Sequence, residues 1–358
     1  MLQYSRFVMT TLSSPIEGAG GVRSRATMRD VAALAGVSLK TVSRVVNREA
    51  GVSDELAARV SRAAEQLDYR PNLTASNLRR ADQRTGTIGL LVEDVANEFF
   101  ASIHRGVEEV ARERGVAVVA ASLDRDPALE RDLVAAFASR RVDGLILAPT
   151  ASEQGYLTNE LRSGWPMVCI DRQPRGVDMD AVVTDNREAA AGGVAHLIAH
   201  GHRLIGFMGG ESTLSTEQAR FSGYVDAMAM AGAAVRPEWV HHGVRDSDQA
   251  REVALALLQL DSPPSAIFSG QNLITMGTVR ALRELGLQHR VALVGFDDFQ
   301  LADLLEPAIT VVAQDARAIG HLAADLLFRR MEDPEKHVTT HVVPCTLIAR
   351  GSGEIPPG

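Results

Sequence analysis

The stretch TMRDVAALAGVSLKTVSRVVN, residues 27–47, reads as two short helices folded around one glycine. Thr27 and Asp30 have the spacing of a capping box, a hydroxyl at the N-cap with an acid three residues on. Val31 and Leu34 then repeat at helical spacing until Gly36 breaks the helix. Ser38 can cap the second helix, Leu39 to Val46, whose Val42, Val45 and Val46 share an inner face. Ser53 caps a third, Asp54 to Leu67, with Ala57, Val60, Ala64 and Leu67 on one stripe. Two helices joined by a tight glycine turn predict a helix-turn-helix. In that unit the N-terminal residues of the second helix meet base edges in the major groove. Here those are Leu39, Lys40 and Thr41, followed by Ser43, Arg44 and Asn47. Lys and Arg can donate to guanine, and Leu can lie against a thymine methyl. Ser and Asn suit phosphates, which fix register without reading sequence. A small bundle serving as a protein-docking cap would show the same helices.

Charge bears on that choice. Residues 22–84 hold 12 Lys and Arg against 7 Asp and Glu, and residues 85–358 hold 24 against 37. A basic segment on an acidic body suits a polyanionic partner, although a solvated helical surface can cluster charge in the same way.

Working outward, residues 1–25 show no period and predict a disordered extension. The head spans 26–71, and the polar, basic residues 72–85 predict a linker with a few helical turns. From 86 to 358 short apolar runs alternate with amphipathic segments, the pattern of an α/β fold. The runs are 88–92, 116–121, 144–148, 167–170, 181–184, 204–208, 266–269, 291–296 and 309–313. Continuous apolar strands between helices imply parallel sheets covered on both faces. Nine or more strands exceed one doubly wound sheet, so the body divides into two such subdomains with a cleft between them.

Several function classes are excluded. No run approaches the ~20 apolar residues of a membrane helix, and the N-terminus lacks the apolar core of a secretory signal, so a cytoplasmic protein is expected. The two cysteines, Cys169 and Cys345, sit in apolar contexts and read as free thiols. His200-Gly201-His202 and His241-His242 lack metal-site spacing, and no metal or cofactor is expected. No nucleophile elbow or catalytic set is present, so an enzyme is not expected.

The head is similar to the DNA-binding head of the lactose-repressor (LacI/GalR) family. The likeness rests on TMRDVAALAGVSLKTVSRVVN, on Val52-Ser53, on YRPN at 69–72 and on the linker ending in Leu78. It implies that Leu39, Lys40 and Arg44 read bases. It implies that Thr27, Ser38, Thr41, Ser43, Asn47, Ser53, Tyr69 and Asn72 contact or position phosphates. It also implies that the linkers of a homodimer order on operator DNA, where Leu78, with Ala75 one turn earlier, wedges into the minor groove. A basic residue is common in the family where Ser76 stands, and Arg79 and Arg80 lie just beyond.

Polar residues recur where the body's strands end, as ligand sites in α/β sheets require. Asn97-Glu98-Phe99-Phe100 follows the first strand, Asp171-Arg172 the fourth, and Gln271-Asn272 the run 266–269. Asp297 and Gln314 follow the last two runs, and Arg220 lies early in a helix after Gly209-Gly210. The set resembles ribose-type periplasmic binding proteins and their repressor relatives. The resemblance implies a periplasmic-binding-protein-like body whose Asn97, Phe99, Phe100, Asp171, Arg172, Arg220, Gln271, Asp297 and Gln314 clamp a small, pentose-like sugar. Arg245 falls where a third aromatic is usual, which would suit an acidic ligand. The expected protein is thus a homodimeric, sugar-controlled repressor of carbohydrate-utilisation genes that binds double-stranded operator DNA. The alternatives are a sugar sensor that does not touch DNA, or a regulator with a purine, acidic or corepressor effector.

Overall fold

The computed structural model describes residues 26–46, 51–69 and 84–358. The chain divides into two units, one ending at Gln83 and the other starting at Arg84.

In the first unit α1 (Met28–Ala35) opens on the expected capping box. The Thr27 N–H donates to Asp30 Oδ2 at 2.7 Å and Thr27 Oγ1 accepts from the Asp30 N–H at 3.4 Å. Gly36 closes α1 at φ +62°, a left-handed conformation that costs other residues strain. Arg59 donates to the Ala35 carbonyl at 2.6 Å, satisfying an orphan acceptor of that helix end. Helices α2 (Leu39–Val46) and α3 (Asp54–Gln66) follow, the latter capped by Ser53. Val31, Ala35, Val42, Val60 and Ala63 form the small core. Leu34, expected to turn inward, is 47% exposed, and Ala35 takes its place. The α3 stripe is likewise centred on Val60 and Ala63, with Ala64 and Leu67 at the rim.

The second unit holds two six-stranded sheets. The chain first builds β1 (Thr87–Val92), α4 (Glu98–Glu113), β2 (Ala117–Ser122), α5 (Pro127–Ser139), β3 (Leu145–Leu147), α6 (Thr158–Arg162), β4 (Met167–Ile170) and β5 (Asp180–Thr184). It then crosses to α7 (Asn186–Ala199), β6 (Ile205–Met208), α8 (Ser215–Met230), β7 (Val240–His241), α9 (Ser247–Leu258), β8 (Ala266–Ser269), α10 (Asn272–Glu284), β9 (Ala292–Phe296) and β10 (Thr310–Ala313). It crosses back to α11 (Ala316–Glu332) and β11 (Thr340–Val343), and crosses a third time to β12 (Thr346–Ile348). The first sheet runs β11-β5-β4-β3-β1-β2 and the second β12-β10-β9-β8-β6-β7. All pairings are parallel except β10 with β12. The inner strands of each sheet are buried on both faces. Ile88, Leu90 and Val92 pack against α4 and α11, while Leu91 packs on the opposite face with Phe137 of α5.

All nine apolar runs form strands. β7, β11 and β12 lie beyond that reading. Arg84 and Thr85, assigned to the linker by sequence, are held on the body through the Met331 carbonyl and Asp143. Cys169 and Cys345 are free thiols, as expected. No helix among the described residues is long and apolar enough to cross a membrane.

The three crossovers lie side by side and are bonded to one another. Thr184 Oγ1 donates to Gln314 Oε1 at 2.9 Å, joining the first to the second. The Cys345 N–H donates to Asp185 Oδ1 at 2.7 Å, joining the third to the first.

Glycine sets the contact between α4 and α11. A Cβ on Gly106 of α4 would run into the Arg317 carbonyl, and a Cβ on Gly320 of α11 into the Ile103 carbonyl. Backbone blocks backbone at this crossing, so neither side can yield by a rotamer change. Gly320→Ala should therefore destabilise the body by about 1–3 kcal/mol. Urea unfolding should show a lower midpoint at unchanged slope. An unchanged midpoint would mean that the crossing is looser than described.

Candidate effector cavity and nucleic-acid interface

Two aspartates mark equivalent places in the two sheets. Asp171 follows β4 at φ +65°, and Asp297 follows β9 at φ +68°. Each is held in this sparsely populated left-handed region by a backbone bond to the next strand. The Asp171 N–H donates to Val182 at 3.0 Å and the Asp297 N–H to Val312 at 2.9 Å. Aspartate tolerates that backbone better than most residues, and such strain concentrates at functional sites. Both side chains are buried, at 5% and 6% exposure, and line one cavity between the sheets.

The cavity is lined mainly by charge. Glu93, at the end of β1, accepts from Arg172 Nη2 at 2.8 Å and from Arg125 Nε at 2.7 Å. Arg172 also lies 3.3 Å from Asp171 and donates to the Pro149 carbonyl at 2.9 Å. On the other side Arg220 donates to Asn186 Oδ1 at 2.7 Å and to the Gly270 carbonyl at 2.6 Å. Its guanidinium stacks 3.8 Å from the Phe296 ring centroid and stands 3.8 Å from both Glu217 and Asp297. Glu217 accepts from the Gly210 N–H at 2.8 Å.

Burial is the leading influence on the carboxyls of Glu93, Asp171, Glu217 and Asp297. It raises the pKa of Asp171, Glu217 and Asp297, with the arginines offsetting only part of the effect. In Glu93 burial acts in the same direction, but Arg172 and Arg125 together outweigh it and hold the carboxyl below its ordinary range. The arrangement presents carboxylate acceptors and guanidinium donors around one space, a lining suited to a polyhydroxylated ligand.

Two amides face each other across the cavity. Asn272 Nδ2 donates to Asn97 Oδ1 at 3.1 Å, and Asn97 Nδ2 donates to Asn272 Oδ1 at 3.3 Å. Asn97 also caps α4 by accepting from the Phe99 N–H at 3.0 Å. The cap fixes Phe99 and Phe100 in the first turn, edge to face with centroids 5.0 Å apart.

Eight of the ten expected effector residues line this cavity: Asn97, Phe99, Phe100, Asp171, Arg172, Arg220, Gln271 and Asp297. Two do not. Gln314 sits behind Asp297, donating to its Oδ1 at 2.6 Å while accepting from Thr184. Arg245 is outside the lining, and only its backbone carbonyl takes part, accepting from Arg125 Nη1 at 3.2 Å. Sequence reading missed Glu93, Arg125, Glu217 and Asn272 as lining residues. For Asn272 the signal was one position away, because Gln271 is the helix cap with extended backbone and Asn272 the first helical residue.

The histidines noted in sequence have other partners. His202 is fully buried between Ser265 Oγ at 2.8 Å and the Ile355 carbonyl at 2.7 Å, and His242 packs against Phe207 and Phe221.

In the head, burial of Val42 turns Leu39 and Lys40 outward at the N-terminus of α2, both exposed. Thr41, Ser43 and Arg44 are half-buried around them. Thr27, Ser38 and Ser53 spend one oxygen lone pair on a helix cap or turn, with Ser38 Oγ accepting from the Thr41 N–H at 3.1 Å. Tyr69 packs on the rim of the small core. Asn47, Asn72, Ala75 and Leu78 lie outside the described residues, as do residues 1–25 and most of the linker.

Known proteins share both parts. Residues 27–72 match the lacI family of bacterial regulatory proteins, and residues 194–353 match the periplasmic binding protein-like domain. The chain is 31% identical to the HTH-type transcriptional repressor PurR of Photobacterium profundum, over 86% of this chain and 92% of that one. It is 31% identical to the ribose operon repressor of Haemophilus influenzae, over 91% and 98%. Among solved structures, a complex of the transcriptional regulator CelR with cellobiose is 31% identical, with a TM-score of 0.67 over 92% of this chain and 100% of that one. These relatives are regulators and repressors rather than enzymes. With a helix-turn-helix head, two parallel-dominated sheets and this likeness over nearly its whole length, the chain belongs to the lacI family of DNA-binding transcriptional repressors.

Proposed function

We propose that the chain is a homodimeric repressor whose operator affinity is set by a small neutral sugar, pentose-like in size, bound between the two sheets. The observation that carries this reading is the lining itself. Asp171, Asp297, Glu217, Glu211 and Glu93 outnumber Arg172, Arg220 and Arg125, so the cavity disfavours an anion. Arg245, the residue that would have suited an acidic ligand, stands outside it. Phe99 and Phe100 supply an apolar wall for one ring face, and the buried acids accept from hydroxyls. That a relative is named a ribose operon repressor agrees with a pentose, whereas the CelR complex holds a disaccharide.

On DNA, Leu39, Lys40 and Arg44 read bases, and Thr27, Ser38, Thr41, Ser43, Asn47, Ser53, Tyr69 and Asn72 hold phosphates. Ala75 and Leu78 enter the minor groove at the operator centre, where an apolar wedge unstacks a base step. A two-fold dimer matches a palindromic operator. Ligand bound between the sheets changes their mutual angle about the bonded crossovers, and with it the spacing of the two heads. A coupling of about 1–3 kcal/mol gives roughly 5–150-fold in operator affinity, and operator must weaken sugar binding by the same factor.

A thermal-shift panel tests the ligand class. A ligand at 100 times its dissociation constant stabilises the protein by about 2.7 kcal/mol. Neutral pentoses should raise the melting temperature and sugar phosphates should not; the reverse order would overturn the reading. With the active sugar in hand, Asp171→Asn should lower its affinity by about 1.5–3 kcal/mol, the worth of a hydrogen bond to a charged group, with operator affinity intact. Affinity should also fall on acidification, beginning above the ordinary carboxylate range, because the raised Asp171, Glu217 and Asp297 lose their acceptor charge there first. A flat profile from pH 7 to pH 4 would remove these acids from the ligand. In the head, Lys40→Ala should cost about 1–3 kcal/mol at one operator position and relax its base preference. Equal weakening on every sequence would make Lys40 a phosphate contact instead.

A further inference from the structure

The C-terminal end of α7 carries a separate group of donors, His196 in its last turn and the cap residue His200, away from the cavity. His196 and His200 stand four residues apart and share one face of the helix, with ring centroids 4.5 Å apart. The chain end brings Glu354 to the same place. One donor atom from each of the three residues lies within 4.8 Å of the other two.

Glu354 is positioned by its neighbours rather than by a free tail. Ser352 Oγ donates to the Leu293 carbonyl at 2.7 Å and accepts from the Thr310 N–H at 2.9 Å. The Gly353 N–H donates to Thr310 Oγ1 at 3.0 Å, and the Ile355 carbonyl meets His202 Nε2 at 2.7 Å. Pins on both sides leave the Glu354 side chain exposed and its backbone fixed.

The second observation is an unsatisfied atom. His196 Nε2 is shut off from water and has no hydrogen-bond partner. Buried polar atoms without partners are rare in folded proteins, and an ion is one of the few groups that satisfy an imidazole lone pair. His200 Nδ1 lies 2.9 Å from the His196 carbonyl. Donating its proton there leaves the lone pair on His200 Nε2, the way metal-bound imidazoles are commonly oriented.

We propose that His196, His200 and Glu354 form a binding site for a divalent transition-metal ion of the zinc class. Two imidazoles and one carboxylate suit Zn(II), with water in the fourth position. They do not suit Mg(II) or Ca(II), which take oxygen ligands. The ion ties residues 352–354 to α7, adding a metal bond to the backbone pins. The adjacent pattern His200-Gly201-His202 hid the pair in sequence, because His202 faces Ser265 and the partner of His200 lies on the preceding turn.

The test is calorimetric titration of the untagged full chain with zinc chloride alone, beside the variants Glu354→Gln and His200→Asn. Glu354 is exposed, so its variant keeps the fold, and circular dichroism verifies this for both. The expected result is one zinc per chain, a higher melting temperature with zinc, no response to millimolar magnesium, and affinity lowered about tenfold or more in each variant. Zinc affinity unchanged in either variant overturns the three-ligand site, and so does an absence of zinc binding by the parent chain.

Discussion

Mutual neutralisation of buried charge is the constraint on which the body is organised. Glu93, Asp171, Glu217 and Asp297 are each 8% exposed or less, as are Arg172 and Arg220. None is tolerable alone, since an unpaired buried ion costs several kcal/mol. They are tolerable together because the strand ends of both sheets converge on one space, and each ion finds a partner there or a backbone group. The paired asparagines, the Arg125 bond to the Arg245 carbonyl and the Glu98 bond to the Gln300 N–H join the two lobes around that space. Such a network offers acceptors and donors already oriented, so binding would exchange one set of hydrogen bonds for another and small differences would decide which state wins.

Much of this was legible in the sequence, and the omissions have physical causes. Most of the nine strands stood out because both their faces are buried, which makes them continuous apolar runs, whereas the edge strand β2 is apolar but partly exposed. β11 and β12 are short edge strands of three or four residues with no fully buried position, and β7 is only two residues long, so none makes a continuous apolar run. At the cavity, Asp171 and Asp297 could be found because each follows an apolar run directly. Glu93 also follows one, but a charge ending a strand more often faces solvent, and only the arginines brought in from two other segments turn it inward. Glu217 lies in the first turn of α8, where polar Thr216, Glu217 and Arg220 continue the inner face that Tyr224, Ala227 and Met228 mark further on. Arg245 was placed by a resemblance in a loop, where backbone path varies most.

The head illustrates a second economy. Thr27, Ser38 and Ser53 cap or turn helices, and the same hydroxyls stand at helix N-termini, where backbone N–H groups already favour a phosphate. The sequence signature of a stable helix start and that of an anion contact are therefore the same residues. This is why the head was legible in its sequence, and why capping chemistry alone left a protein-docking bundle open.

The triple crossover has a consequence for how the chain acquires its structure. The first lobe is not made from the first half of the chain. Its sheet is completed by β11, at residues 340–343, and one face of its core is covered by α11, at residues 316–332. A nascent chain that has emerged only as far as β5 owns five strands and three helices of that lobe but lacks α11, which covers one side of its core. Closure of the first lobe must wait until the second has been synthesised, a long-range pairing that slows folding and extends the time for which apolar surface is exposed. The two lobes are separate in space but inseparable in synthesis, so neither can be excised as a contiguous fragment with an intact core.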